Sequence, residues 1–295
     1  MMKGLVGCRA GRVATVLAGL WLLLAPLAHA LEMVDDRGVR VMLAQSPQRI
    51  VSVLPSLTET VCALGRCSRL VGVDRYSNFP ESVRKLPRVG GGLDPSIEAI
   101  VALRPDLVLL AASSPAAARL ESLGLKVVAL EPKNYADARR VLLQLGVLLS
   151  VTDAPQLWAG IEAGVDAATR SLAPSIRGKR IYFEVNSGPY AAGADSFLGE
   201  TLTRLGVVNI VPAGMGPFPK INPEFVVRAD PDLIMVGDTN FAGMKQRPGW
   251  SNMRAIRYDR VCVFPPAQSD VMVRPGPRMA EAARAMALCL SRHLP

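Results

Sequence analysis

Residues 96–110 read SIEAIVALRPDLVLL, and residues 222–236 read NPEFVVRADPDLIMV. With Pro105-Asp106-Leu107 laid on Pro231-Asp232-Leu233, the two segments stand 126 residues apart, and the same offset lays Glu98 on Glu224. Each copy opens on a polar residue suited to cap a helix, carries an acid in the first turn, and runs into an apolar strand-forming stretch. This repetition constrains the fold more than any other feature. The chain is expected to contain two α/β halves built alike.

The rest of the pattern agrees. In the first half RIVSV (49–53), LVGV (70–73), LVLLA (107–111) and KVVAL (126–130) are short apolar strands separated by helical segments. Ser56 and Glu59 in PSLTETVCALG have the spacing of a capping box, and Gly65 and Gly124 stand where helices stop. The second half repeats the order with RIYFEV (180–185), a helix over 195–206, VVNIV, a helix capped by Asn222 with Pro223 in its first position, and LIMVG. WSNMRAI reads as helical, RVCVF (260–264) as a strand and residues 277–292 as the final helix. Strands that are almost continuously apolar and alternate with helices predict parallel sheets covered on both faces.

Between the halves, Asp153 is expected to cap one helix from Ala154 to about Leu172, roughly 28 Å long at ~1.5 Å per residue. No Gly/Ser-rich linker occurs. The expected organisation is therefore an N-terminal lobe (31–150), a linking helix (151–175) and a C-terminal lobe (176–295), with little hinge motion. A hairpin around Asp36–Gly38 precedes the first lobe.

Residues 1–30 read as a secretory signal peptide: Lys3, Arg9 and Arg12, then the apolar VATVLAGLWLLLAPLA, then AHA at 28–30. LVGC (5–8) has the local form of a lipidation site but precedes the apolar core, so Cys8 is read as incidental. The mature chain should begin near Leu31 and be soluble in the periplasm. Without the leader, 31 basic residues face 25 acids in scattered order, which points to a solvated surface and not to nucleic acid. Four cysteines remain, and an exported compartment favours disulfides over thiols or zinc. Cys62 and Cys67 straddle the stop at Gly65, and Cys262 in a strand is expected to tie down Cys289 in the last helix. The alternative is four buried thiols.

The segments RIVSVLPSLTETVCALG, LVGVDRYSNFPESVRKLPRVGG and IEAIVALRPDLVLL resemble the N-terminal lobe of substrate-binding proteins for cobalamin, haem and ferric-siderophore uptake. ADSFLGETLTRLGVVNIV and INPEFVVRADPDLIMV resemble the C-terminal lobe, so the likeness covers nearly all of residues 33–292. YSNFP, PFP (217–219) and the short loops are most similar to the cobalamin-binding members. The resemblance implies a class III periplasmic binding protein, with two α/β lobes bridged by one long helix. It also implies that one glutamate per lobe docks onto each of two permease subunits, and Glu98 and Glu224 occupy the matching positions. Helix electrostatics alone would favour an acid at either place but would not explain why duplication relates them.

In open parallel sheets ligands bind beyond the C-terminal strand ends, which places the cleft among loops carrying Tyr76, Phe79, Gly91, Gly92, Tyr190, Phe218, Asp270 and Arg274. Loop aromatics offer a flat ligand large contact at low entropic cost, unless they only pin their own loops. Gly90-Gly91-Gly92 permits close backbone approach. Arg274 either pairs with Asp270 or meets an anionic ligand group. Histidine is limited to His29 and His293, so a receptor for bare zinc or manganese lacks its imidazoles. Cobalamin brings its own axial base and needs no protein metal ligand or resident cofactor. The expected ligand is therefore a corrinoid, with haem or a ferric siderophore as the alternative. The family's cleft tryptophan has no counterpart here: Trp158 is on the linking helix, Trp250 is in the C-terminal lobe, and Phe218 stands where a tryptophan would serve.

Catalytic chemistry finds little support. G-x-S-x-G, Walker A and H-E-x-x-H are missing, and a lone tail histidine cannot complete a Ser-His-Asp triad. Asp74, Asp94 and Asp270 have no spacing that selects them for acid/base work.

Overall fold

The computed structural model describes Met1 and residues 31–186, 188–237, 241 and 243–294. The expected signal peptide and Cys8 lie outside the described residues. A hairpin of β1 (Leu31–Val34) and β2 (Arg40–Leu43) comes first, antiparallel and turning at Asp36–Gly38. Buried Asp35 accepts the backbone N–H groups of Arg37, Val39 and Ala129 and pairs with the Arg37 guanidinium, fixing the hairpin to the first lobe.

That lobe is a four-stranded parallel sheet in the order β4 (Leu70–Val73), β3 (Ile50–Ser52), β5 (Leu107–Leu110), β6 (Val127–Ala129). Alternation along the strands sends Ile50, Leu107 and Leu109 to one face and Val51, Val108 and Leu110 to the other, and both faces are buried. Helix α1 (Pro55–Ala63) covers the first face; α2 (Ile97–Ala102) and α3 (Ala117–Ser122) cover the second.

After α4 (Tyr135–Leu148) and α5 (Ala154–Arg170) the second lobe repeats the winding. Its parallel strands run β9 (Val208–Asn209), β7 (Arg180–Asn186), β10 (Leu233–Gly237), β11 (Val261–Phe264). Counted in chain order, both sheets are 2-1-3-4. The second also carries a short antiparallel strand, β8 (Tyr190–Ala191), on the upper half of β7, beside the edge β9 occupies lower down. Helix α6 (Phe197–Arg204) covers the inner face, while α7 (Pro223–Ala229) and α8 (Arg254–Arg257) cover the outer one. WSNMRAI is thus a 3₁₀ turn over Trp250–Asn252 followed by the single turn of α8. Helices α9 (Pro266–Met272) and α10 (Met279–His293) close the chain, and α10 packs along α5.

The repeat extends to details the sequence only hinted at. Ser96 and Asn222, 126 residues apart, both cap their helices through side-chain oxygens. Arg104 and Asp230, at the same offset, both end the helix in the left-handed region, with φ of 46° and 41°. The aspartates of the two Pro-Asp-Leu segments do one job: Asp106 accepts the N–H of Arg49 at 2.9 Å, and Asp232 that of Arg180 at 2.8 Å. Each pins its strand to the start of the neighbouring one, and so helps set the register. At Gly65, Gly124 and Gly206 the paired 6→1 and 5→2 backbone bonds of a Schellman stop are made, each glycine at positive φ.

Two local expectations fail, the first at Asp153, which stands at the N-cap of α5 but makes no side-chain cap bond; the second is at α1. Leu54, with no side-chain cap, begins α1 ahead of Pro55, and Ser56 and Glu59 form no capping box. Pro55 at the first helical position already supplies the preset φ and needs no capped donor, which frees Glu59 for a distant partner.

The lobes share their inner faces. One continuous apolar cluster runs from Ile50 and Leu107 through Leu142, Trp158, Val165, Met286 and Leu290 to Leu233 and Met235. Cys62 is bonded to Cys67, and Cys262 to Cys289, with Cα atoms 4.0 and 5.9 Å apart.

Candidate functional site

The loops leaving the C-terminal strand ends of both sheets converge on a cavity of about 490 Å³. The first lobe contributes Leu54, Pro55 and Ser56 after β3, Tyr76 after β4, and Glu131, Pro132 and Lys133 after β6. The second contributes Phe197, Pro217, Phe218, Asp270, Val273, Arg274 and Pro275. Tyr76 is 60% exposed and Phe218 40%, high values for aromatic rings, and they flank a largely apolar hollow with charged groups at Glu131, Lys133, Asp270 and Arg274. Phe218 meets the buried ring of Phe197 edge-on at 6.4 Å, which holds it upright.

Tyr76 is aimed by its own loop. Asp74, fully buried at the end of β4, accepts the Tyr76 N–H at 2.8 Å and the Ser77 hydroxyl, and Ser77 continues to Thr58 and Ser52. Burial pushes the Asp74 carboxyl above the usual range, against the lowering effect of those donors.

Two seams join the lobes beside the cavity. At the first, the Arg274 guanidinium gives Nη1 to Glu59 (2.9 Å) and to the side-chain Oδ1 of Asn78 (2.7 Å), and Nη2 to the Tyr76 backbone carbonyl and to Asp270, each at 3.0 Å. Asn78 in turn donates to Asp270 at 2.7 Å. Arg278 lies 3.7 Å from Glu59, holds Glu281 at 2.8 Å and covers the Phe79 ring at 3.9 Å. Glu59 and Arg274 are 2% and 7% exposed at their side chains. Burial drives the Glu59 carboxyl up, and the two guanidiniums only partly offset that shift. At the second seam, Phe197 donates its N–H to the Lys133 carbonyl, Glu200 accepts the Tyr135 N–H at 2.7 Å, and the Tyr135 hydroxyl meets Thr201 at 3.0 Å. Both seams tie the first lobe to the second beside the cavity.

The site residues expected from sequence divide by location. Tyr76, Phe218, Asp270 and Arg274 line the cavity, and Arg274 is matched by Glu59 as well as by Asp270. Phe79 lies under Arg278. Gly91 is buried against Asp94 and Arg75, Gly92 gives its carbonyl to Ser114, and Tyr190 is 42% exposed on β8. None of these four is among the lining residues. Sequence reasoning missed Lys133, Pro132 and Phe197; the first two follow β6 directly, and that position was the available signal.

It also missed a further buried charge. Glu184 on β7 is wholly buried, held by both Arg247 nitrogens at 2.6 and 2.8 Å and by the Tyr182 hydroxyl at 3.2 Å. Burial and the neighbouring carboxylate raise the Tyr182 phenol well above its ordinary value. Glu184 walls a smaller hollow of about 200 Å³ that adjoins the main one at Asp270 and Val273.

Glu98 and Glu224 are both exposed, in the first turns of α2 and α7, the corresponding outer-face helices of the two lobes. Each of these helices leads into a parallel strand, so its first turn lies at the edge of the sheet that carries the cleft. Among the described residues no group of three or more His, Cys, Asp or Glu is placed to hold a metal ion, and no helix is long and apolar enough to cross a membrane.

A cavity between two like sheets, at the strand ends where such folds take their ligands, defines a binding protein. The family model described as periplasmic binding protein matches residues 50–267, and the chain belongs to that family, whose members bind substrates and are not enzymes. Its two sheets and bridging helix make it a class III member. It is 26% identical over 277 residues to the uncharacterized ABC transporter substrate-binding lipoprotein YvrC of Bacillus subtilis, covering 86% of this chain and 83% of that one. It is 28% identical over 248 residues to the vitamin B12-binding protein of Salmonella paratyphi A, covering 83% and 90%. Among solved structures, the periplasmic heme-binding protein BhuT with two hemes superposes with a TM-score of 0.73 at 26% identity, covering 85% and 100%.

Proposed function

We propose that this chain is the periplasmic substrate-binding component of an ABC importer, and that it carries a corrinoid, cobalamin, in the interlobe cleft to the permease. The observation that carries this reading is the cavity itself, with exposed Tyr76 and Phe218 flanking a largely apolar hollow that contains no histidine among its lining residues. Such a surface suits a bulky ring system whose metal is already fully ligated. Arginines argue in the same direction. Arg75 is paired with Asp94, Arg274 with Glu59 and Asp270, and Arg278 with Glu281, so a polyanionic ferric siderophore finds no free cluster. Likeness to the B12-binding protein supports the ligand class.

Haem is the second reading, favoured by one feature: the exposed Tyr76 phenol in the cavity is a possible axial ligand. Absorption titrations of the mature protein with cyanocobalamin and with haemin, run in parallel, separate the two. Saturable 1:1 binding of the corrinoid supports the proposal; haemin binding with a tyrosinate-type spectrum and no corrinoid binding replaces it.

On this reading Glu98 and Glu224 are the docking residues, one carboxylate per lobe for one permease subunit each. Charge-assisted pairs at two related points fix register as well as affinity.

A further inference from the structure

We infer that Lys133 is the specificity-determining cation of the cleft and pairs with a single negative charge on the ligand, the nucleotide-loop phosphodiester of a complete corrinoid. The inference rests on the corrinoid reading above and names the charge that reading requires.

Two cationic side chains line the cavity among the described residues, Arg274 and Lys133. Arg274 is saturated: both Nη atoms already serve two acceptors each, and its side chain is 7% exposed. Lys133 is the opposite case. It is exposed, and no carboxylate of the described residues forms an ion pair with its ammonium. The nearby acids are committed elsewhere. Glu131 accepts the Ser113 N–H at 2.9 Å and its hydroxyl at 3.0 Å, Asp137 pairs with Arg140 at 3.1 Å, and Asp270 is held by Arg274 and Asn78.

The backbone of Lys133 is nevertheless fixed from both sides. Its N–H donates to Asp137 at 3.2 Å, and its carbonyl accepts the Phe197 N–H from the other lobe at 3.1 Å. A flexible, unpaired ammonium on an anchored backbone, at the junction of both lobes, is placed to meet a ligand group and not to brace the fold. It also stands one residue ahead of the N-cap of α4, a fourteen-residue helix whose N-terminal N–H groups add positive potential at the same place.

The number of available charges selects the ligand. One free cation balances one anion, and the phosphodiester of cobalamin carries one negative charge, whereas haem presents two carboxylates and siderophores usually more. In a hollow walled by Tyr76, Phe218, Pro132 and Pro217 that pair is partly desolvated, where it discriminates better than at an open surface.

The test compares cyanocobalamin with dicyanocobinamide, which lacks the phosphodiester, on the full mature protein. Wild-type protein should bind cyanocobalamin about tenfold more tightly at low than at high salt, while cobinamide binding should be insensitive to salt. Lys133→Gln should lose about tenfold in cyanocobalamin affinity and its salt dependence, with cobinamide unchanged, and Lys133→Arg should restore both. Lys126→Gln, a charge control at the start of β6, should leave both ligands unaffected. Equal cyanocobalamin affinity in wild type and Lys133→Gln overturns the role of Lys133 while the corrinoid reading stands. Failure of the wild type to bind either corrinoid overturns both.

Discussion

The two lobes wind their strands alike, yet they treat a buried carboxylate in opposite ways. Glu184 of the second lobe finds Arg247 and Tyr182 within its own lobe. Glu59 of the first reaches out to Arg274 and Arg278, more than two hundred residues further on. The first arrangement braces one sheet, and the second fastens the lobes to each other beside the cleft. Duplication supplied two equal frameworks, and buried charge made them unequal. Removing one partner of such a pair strands a charge in low dielectric, so the same chemistry enforces an internal brace in one place and an interlobe tie in the other.

Breaking each pair gives the largest expected effects. Arg247→Met leaves Glu184 unpaired and should cost about 3–5 kcal/mol in urea unfolding, with ligand affinity of the folded fraction retained. Glu59→Ala should cost a similar amount and, in addition, weaken ligand binding, because Arg274 and the Tyr76 carbonyl it holds belong to the cavity wall. Equal ligand affinities in the two variants would remove the distinction between brace and tie.

Disulfides sharpen the comparison next. The bond between Cys262 and Cys289 closes 27 residues and that between Cys62 and Cys67 closes 5. Loop-closure entropy gives about 3.5 kcal/mol for the longer loop and about 2 for the shorter. Paired Cys→Ser variants unfolded in urea should show that order.

Acid brings out a smaller difference. Burial alone would raise the Asp35 carboxyl, but Arg37 and three backbone N–H groups outweigh it and hold it below its ordinary value of 3.8. Its contribution is therefore complete above pH 3.8 and is lost as pH falls through the lowered value. Asp35→Asn should cost about 1–3 kcal/mol at neutral pH and flatten the stability profile below about pH 4. Glu59 has the opposite sign: burial raises its carboxyl, so the part of its contribution linked to titration is full below pH 4.5 and declines as pH rises through the raised value, while the tie to Arg274 remains.

The smallest effects on stability belong to Glu98 and Glu224, the pair proposed to dock. Glu98→Ala and Glu224→Ala should each cost about 0.3–1 kcal/mol, the value of an acid in a first helical turn, and neither should change ligand affinity. If the lobes dock equivalently, each single variant reduces ligand-stimulated ATPase of the reconstituted importer to the same degree and the double variant abolishes it. A strong effect from one and none from the other would show a one-sided dock.

Much of this was legible in the chain. The caps at Ser96 and Asn222, the stops at Gly65, Gly124 and Gly206, and the strand runs are all set within a turn or two of sequence, where propensity and capping act. Glu59 misled because its spacing from Ser56 imitates a cap that Pro55 makes unnecessary. The roles of Phe197 and Asn78 were silent because nothing local marks a residue whose partner lies in the other lobe, and Lys133 was marked only by its place in the loop after β6.

By itself, then, the sequence determined a duplicated α/β framework, the strand ends around which the cavity forms, and an acid at each corresponding helix start, since all of these follow from short-range backbone and burial preferences. Only the tertiary structure decided which arginines are spent and that Lys133 stands at the cavity without a carboxylate partner among the described residues, because a charge chooses its partner by distance and desolvation after the lobes have packed together.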